Sequence, residues 1–205
     1  MKDPMPRRAR SGTSEAALGF RSHSGWAALV AVAGPATEPS VVVRRRVELS
    51  RKTPRQPFHA AEGRPFAAAE GLIRRSIDEA TALADRAVRE AVTELRVAGH
   101  EPVASGLLLA AGRPLPGLRD VLASHALIHA AEGEMFRDVL RQASRQCGLR
   151  VAEVRERDLE DLAARSLGRS AAELGRRLAE WGKALGPPWT QDEKRAALVA
   201  WLALG

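Results

Sequence analysis

The sequence predicts an α/β domain on a mixed sheet that opens with an antiparallel hairpin, with helices packed on it. Three observations carry this prediction. Strand-like apolar stretches near the start are joined by a short turn, "GPATEPS". A helical apolar stripe then persists for many turns from Phe66. After it, short apolar runs alternate with helical segments, the pattern of helices layered on a sheet.

The elements follow in order. Residues 1–15, rich in Pro, Arg and Ser, read as a disordered basic arm, and 16–205 as a single α/β domain. In "LGFRSHSGWAALVAVAG" two apolar runs flank a polar Ser-His-Ser-Gly break, so about 17–33 is one strand or two strand segments. "VVVRRRVELS" is a further strand, and of Arg44, Arg45 and Arg46 only those on its exposed face add to a basic surface. "RKTPRQPFHAAEGRP" reads as an irregular linker. The long helix presents Phe66, Ile73, Ile77, Ala80, Ala84, Val88, Ala91 and Leu95 on one face, and Gly99 stops it. "PVASGLLLA" is a buried strand and "AGRPLPG" a loop. One helix is expected from about Leu118 to Cys147, followed by the strand "LRVAEV" and a helical segment at about 156–167. Ser170 with Glu173, and Thr190 with Glu193, form capping boxes that start the last two helices.

The 205 residues suffice for one domain with its own core. Formal net charge is +7, which invites a polyanion partner. The only lysines are Lys2, Lys52, Lys183 and Lys194, and Tyr is absent, a skew that a GC-rich coding bias also produces. The single cysteine, Cys147, forms no intrachain disulfide and reads as a small buried hydrophobe. "WAALVAVA" and "GLLLAA" are too short to span a bilayer, and "MKDPMPRRARSGTSE" has no apolar signal region, so a cytoplasmic protein without a membrane partner is expected.

The stretch "SHALIHAAEGEMF" (124–136) is the main candidate for chemistry. At about 100° per residue, His129 falls about 40° from His125, and Glu132 about 20° on the other side. The stripe also contains Val121, Ile128, Met135, Phe136 and Val139, so these polar residues interrupt the apolar face, whereas Glu134 and Arg137 point elsewhere into solvent. A buried carboxylate must be paired or protonated, and a His–Glu contact satisfies both partners. His-x-x-x-His on a helix also ligates zinc, with Glu as a third ligand. His59 and Glu62 would join if the linker folds over the helix, and His23 is another candidate neighbour. Gly133 is where such a helix would break.

Other signatures are absent: there is no G-x-x-x-x-G-K-[ST], G-x-S-x-G or C-x-x-C. "FHAAEG", "FAAAEG" and "IHAAEG" share a core too short for a solenoid unit. Trp189 reads as a hydrophobic staple ahead of the last helix.

The element order resembles the ribonuclease H-like fold, particularly the RuvC-type resolvases. "LGFRSHSGWAALV" resembles that family's opening strand and hairpin, and "EPVASGLLL" its next core strand. "SHALIHAAEGEMFRDVLRQASRQCGLRVAEV" resembles the helix and strand that follow, and "WTQDEKRAALVAWLAL" the final helix. The resemblance covers about 17–205 and implies carboxylates holding two divalent metal ions for phosphodiester hydrolysis. Arg21 stands where it expects the first-strand Asp, and the core-strand Glu falls near Ser105 or Gly106. Asp192 and Glu193 remain at the final helix, where both also serve as helix N-terminal acids.

Three functions stay open. The leading one is a non-catalytic RNase H-like binding or assembly domain that contacts nucleic acid through an arginine-rich surface. The second is an enzyme with a His/Glu metal or acid–base site: His125, His129, Glu132 and Asp192 are the catalytic candidates, and His59, His125, His129 and Glu132 the metal candidates. The third is a homo-oligomeric structural protein using exposed apolar helix surface. No cofactor is expected, and a divalent metal enters only with the second.

Overall fold

The computed structural model describes residues 13–110 and 114–205. Most of the basic arm and the middle of the "AGRPLPG" loop therefore lie outside the described residues. Ser14 and Glu15, assigned above to the arm, are instead the first residues of a strand.

Five strands form one mixed sheet in the order β3-β2-β1-β4-β5. β1 (Ser14–His23), β2 (Trp26–Ala33) and β3 (Ser40–Glu48) run antiparallel, while β4 (His100–Leu109) and β5 (Arg150–Arg155) run parallel to β1. The Ser-His-Ser-Gly break is the hairpin itself: His23 pairs with Trp26, and Gly25 takes φ 79°, as a two-residue turn requires.

Helices cover both faces. On one side lie α1 (Pro57–Ala61), α2 (Phe66–Val97), α3 (Leu118–Leu122) and α4 (His125–Gln146). They enclose Leu18, Phe20, Leu29, Val88, Phe136 and Leu140. On the other lie a 3-10 turn (Glu156–Asp158), α5 (Leu159–Leu167), α6 (Ala171–Leu185) and α7 (Gln191–Leu204), packed on Ala17, Val30, Ala104 and Leu108. Strand alternation divides the two cores, since successive side chains point to opposite faces. The two capping boxes form as expected at Ser170/Glu173 and Thr190/Glu193.

α7 touches the sheet most closely. Gly19 and Gly106 are side-by-side partners on parallel strands, both facing α7. A Cβ on Gly19 would overlap the Ala196 carbonyl and lie 2.8 Å from the Ala200 Cβ. On Gly106 it would overlap the Val199 carbonyl. Glycine is required at both positions because helix backbone occupies the space.

Several expectations change. The linker contains α1, started by Pro57 at the first helical turn and anchored by buried Phe58 and Ala61. The single helix over 118–147 is two, interrupted at Ala123–Ser124 rather than at Gly133, which lies inside a continuous α4. Ile77 is 38% exposed, at the mouth of a cleft it shares with Leu118 and Val121 of α3 and Met135 and Val139 of α4. Trp189 does not staple α7: it packs on Gly182 of α6 and donates from its indole N–H to the Leu178 carbonyl at 2.8 Å. The strand arginines are engaged within the fold. Arg44 donates to the Gly186 and Pro188 carbonyls, Arg45 pairs with Glu94, and Arg46 pairs with Glu48 and lies over Trp26. Cys147 is half-buried at the end of α4, and burial pushes its thiol up, away from reactivity. No helix among the described residues is long and apolar enough to cross a membrane.

Gly19→Ala is expected to lower unfolding free energy by about 2–3 kcal/mol in denaturant titration, because α7 must lift from the sheet. Gly175→Ala, on an exposed turn of α6 with open space around it, is expected to raise it by about 0.5–1 kcal/mol.

Candidate functional site

Two clusters of chemistry-bearing side chains lie on opposite faces of the sheet. The first is the histidine cluster. α1 carries His59 against the N-terminal end of α4, which carries His125 and His129 one turn apart. The loop leading into α1 is held by Glu79 of α2, which accepts from the Lys52 and Thr53 backbone N–H groups at 2.8 and 2.9 Å and from the Thr53 hydroxyl at 2.6 Å. Burial alone would raise the Glu79 carboxyl; these hydrogen bonds outweigh it and hold the group below its ordinary value.

The three imidazoles meet edge to face, with centroids 4.4 Å apart for His59–His129, 4.6 Å for His125–His129 and 5.4 Å for His59–His125. One ring nitrogen from each lies within 4.8 Å of the others. His125 Nε2 and His129 Nε2 are 3.2 Å apart. Glu132 is buried behind them, 2% exposed, with Oε2 2.6 Å from His59 Nδ1 and 3.4 Å from the His59 backbone N–H. Burial pushes the Glu132 carboxyl up, and the His59 contacts pull against that rise without cancelling it. Glu62 lies 3.5 Å from His125 Nδ1.

The wheel thus places the stripe correctly but not its depth. Glu132 faces inward, whereas His125 and His129 are exposed, because α4 begins at His125 and only the short α1 covers that end. Glu132 stands behind His59 rather than among the three converging ring nitrogens. His23 does not join this cluster. Arg137 is not solvated either: its side chain is 12% exposed and pairs with Glu134. Arg141, which the sequence did not single out, joins Glu134, Asp138 and Glu153.

The second cluster sits where β1, β5 and α7 meet. Arg21 donates to Asp192 at 2.5 Å and to Glu156 at 3.1 Å. His23 Nε2 is 2.5 Å from the Arg21 guanidinium and 3.1 Å from Asp192, and the His23 ring stacks on Trp26 at 4.3 Å. Arg195, one turn along α7, also pairs with Glu156. Glu156 and Arg195 went unnoticed in the sequence; a Glu just past the last strand, and an Arg three residues after Asp192, were the available signals.

Two solved structures share this architecture. Thermus thermophilus RuvC in complex with Holliday junction substrate matches over 92% of this chain and 91% of its own, with 12% identity and a TM-score of 0.56. The fold is RNase H-like. A second Thermus thermophilus RuvC structure matches over 91% of this chain and 92% of its own, with 12% identity and a TM-score of 0.55. No protein-family model matches the sequence, and no curated protein matches it.

The side chains present do not fit the two-metal centre that an RNase H-like fold of the RuvC type implies. A guanidinium fills the gap between Asp192 and Glu156 where a cation would lie. On β4, Ser105 is fully buried without a hydrogen-bond partner, and Gly106 has no room for a side chain beneath Val199. Asp192, a catalytic candidate in the sequence, is here the partner of Arg21.

Two measurements follow. Because the folded carboxyl of Glu79 lies below its unfolded value, its contribution is complete above the unfolded pKa and is lost as pH falls through the folded one. The stability gap between wild type and Glu79→Gln should therefore be widest near neutrality and narrow on acidification through the carboxylate range, as followed by thermal unfolding. A double-mutant cycle with Arg21→Ala and Asp192→Ala should give a coupling of about 1–3 kcal/mol, since the two side chains are 18% and 24% exposed.

Proposed function

We propose that this chain is a nucleic-acid-binding RNase H-like domain without two-metal hydrolysis of its own. The observation that carries this proposal is the Arg21 guanidinium bridging Asp192 and Glu156. A fixed cation there satisfies the carboxylates and repels a divalent ion at the same position. Support for the nucleic-acid partner comes from the fold, shared with a RuvC solved in complex with Holliday junction substrate, and from the net charge of +7. Beside the closed centre, Arg157 follows Glu156 and is exposed, which suits contact with phosphates. No base-reading motif stands out in the sequence, so the contact is electrostatic and depends on counterion release.

Fluorescence anisotropy with four-way junction, duplex and single-stranded DNA tests this proposal. Binding is expected at low ionic strength, falling about 100-fold or more between 50 and 200 mM salt, with no cleavage in magnesium. No binding at low ionic strength, a salt-insensitive complex, or magnesium-dependent cleavage that Asp192→Ala abolishes would each overturn it.

A further inference from the structure

The geometry points to a mononuclear transition-metal site, with zinc as its first occupant, formed by His59, His125 and His129. It lies on the opposite face of the sheet from the Arg21 network and does not depend on nucleic-acid binding.

Two of the three imidazoles turn Nδ1 toward a carboxylate, which leaves their Nε2 atoms for a common point. The Nδ1 of His59 is engaged by Glu132 at 2.6 Å, leaving Nε2, which is buried and has no hydrogen-bond partner. The Nδ1 of His125 faces Glu62 at 3.5 Å. His125 Nε2 and His129 Nε2 stand 3.2 Å apart. Two nitrogens bound tetrahedrally to one zinc ion at about 2.0–2.1 Å lie about 3.3 Å from each other. Spacing by one helical turn thus already sets two ligands at the separation a shared metal needs. His59, arriving from a different element, brings the third within a small side-chain adjustment.

Glu132 supplies what lies behind the ligands. A carboxylate accepting from His59 Nδ1–H selects the tautomer with a free Nε2 lone pair, and it raises the basicity of that nitrogen. The same carboxylate accepts from the His59 backbone N–H, so α1 and its ring are oriented together. Without a shared cation, the His59 Nε2 lone pair and Glu132 Oε1 are buried and unsatisfied. A metal ion gives the first a partner and offsets the charge of the second.

Three imidazoles and no thiolate suit zinc and its borderline neighbours rather than calcium or magnesium, which prefer oxygen. His125 and His129 are exposed, so a fourth coordination position opens to solvent, the arrangement of zinc sites that keep a water or take a ligand. His129 also borders a cleft of about 580 Å³ between α4 and the ends of β4 and β5, where such a ligand could lie.

Tag-free protein, stripped with chelator and titrated with Zn²⁺ by calorimetry, tests the site. One equivalent is expected to bind, and to raise the melting temperature by linkage. Co²⁺ in its place is expected to give the visible absorption of a four-coordinate ion. Both signals should vanish in His125→Ala/His129→Ala, whose exposed positions leave the apo melting temperature unchanged, and in His59→Ala. Glu132→Gln is expected to weaken zinc about 10–100-fold. His100→Ala, at a histidine bonded to Ser14 away from the cluster, should bind as wild type does. Failure of the wild type to bind one equivalent, or binding that survives His125→Ala/His129→Ala, would overturn the site and leave three imidazoles packed edge to face.

Discussion

The backbone of α7 rests directly on two glycines, and much of the molecule depends on that contact. Gly19 and Gly106 are paired across β1 and β4. The absence of side chains lets Ala196, Val199 and Ala200 sit against the strands themselves. α7 is accordingly almost wholly buried from Ala196 onward, with Trp201 tied by its indole N–H to the Ala36 carbonyl of the β2–β3 turn. A residue pair that contributes no side-chain contact thereby fixes the largest buried helix surface on its face of the sheet.

The same contact aligns the Arg21 network. From Ala196 back to Asp192 a helix rises about 6 Å, close to the rise of about 6.6 Å from Gly19 to Arg21 along a strand. α7 running against β1 therefore brings Asp192 level with Arg21, and Arg195 within reach of Glu156. With an acidic residue at position 21, this geometry would gather carboxylates. With arginine there, it yields a closed ion-pair network whose charges are mutually satisfied, apart from a buried Arg21 Nε.

The histidine cluster is the opposite case. Its residues converge, yet His59 Nε2 and Glu132 Oε1 remain without partners. One site has its cation built in as a side chain, and the other brings three imidazole rings together without one. They share no residue and no element, and the sheet separates them.

What the sequence determined by itself was local. Periodicity located the long helix, the hairpin turn needed its glycine, and the capping boxes at Ser170 and Thr190 start their helices, because each signal involves residues within a turn or two of one another. The His125–Glu132 stripe was legible for the same reason. What only the tertiary structure decided was depth and partnership. α1 was hidden in a five-residue segment too short for a period to show, and the break before His125 carried no glycine or proline to announce it. His59 meets Glu132 across 73 positions of chain, and Arg21 meets Asp192 across 171. Such pairings depend on which apolar faces bury together, here Phe58 and Ala61 in the core beside α4, and α7 on its two glycines. Spacing along a chain specifies which side chains share a face; only packing specifies what that face meets.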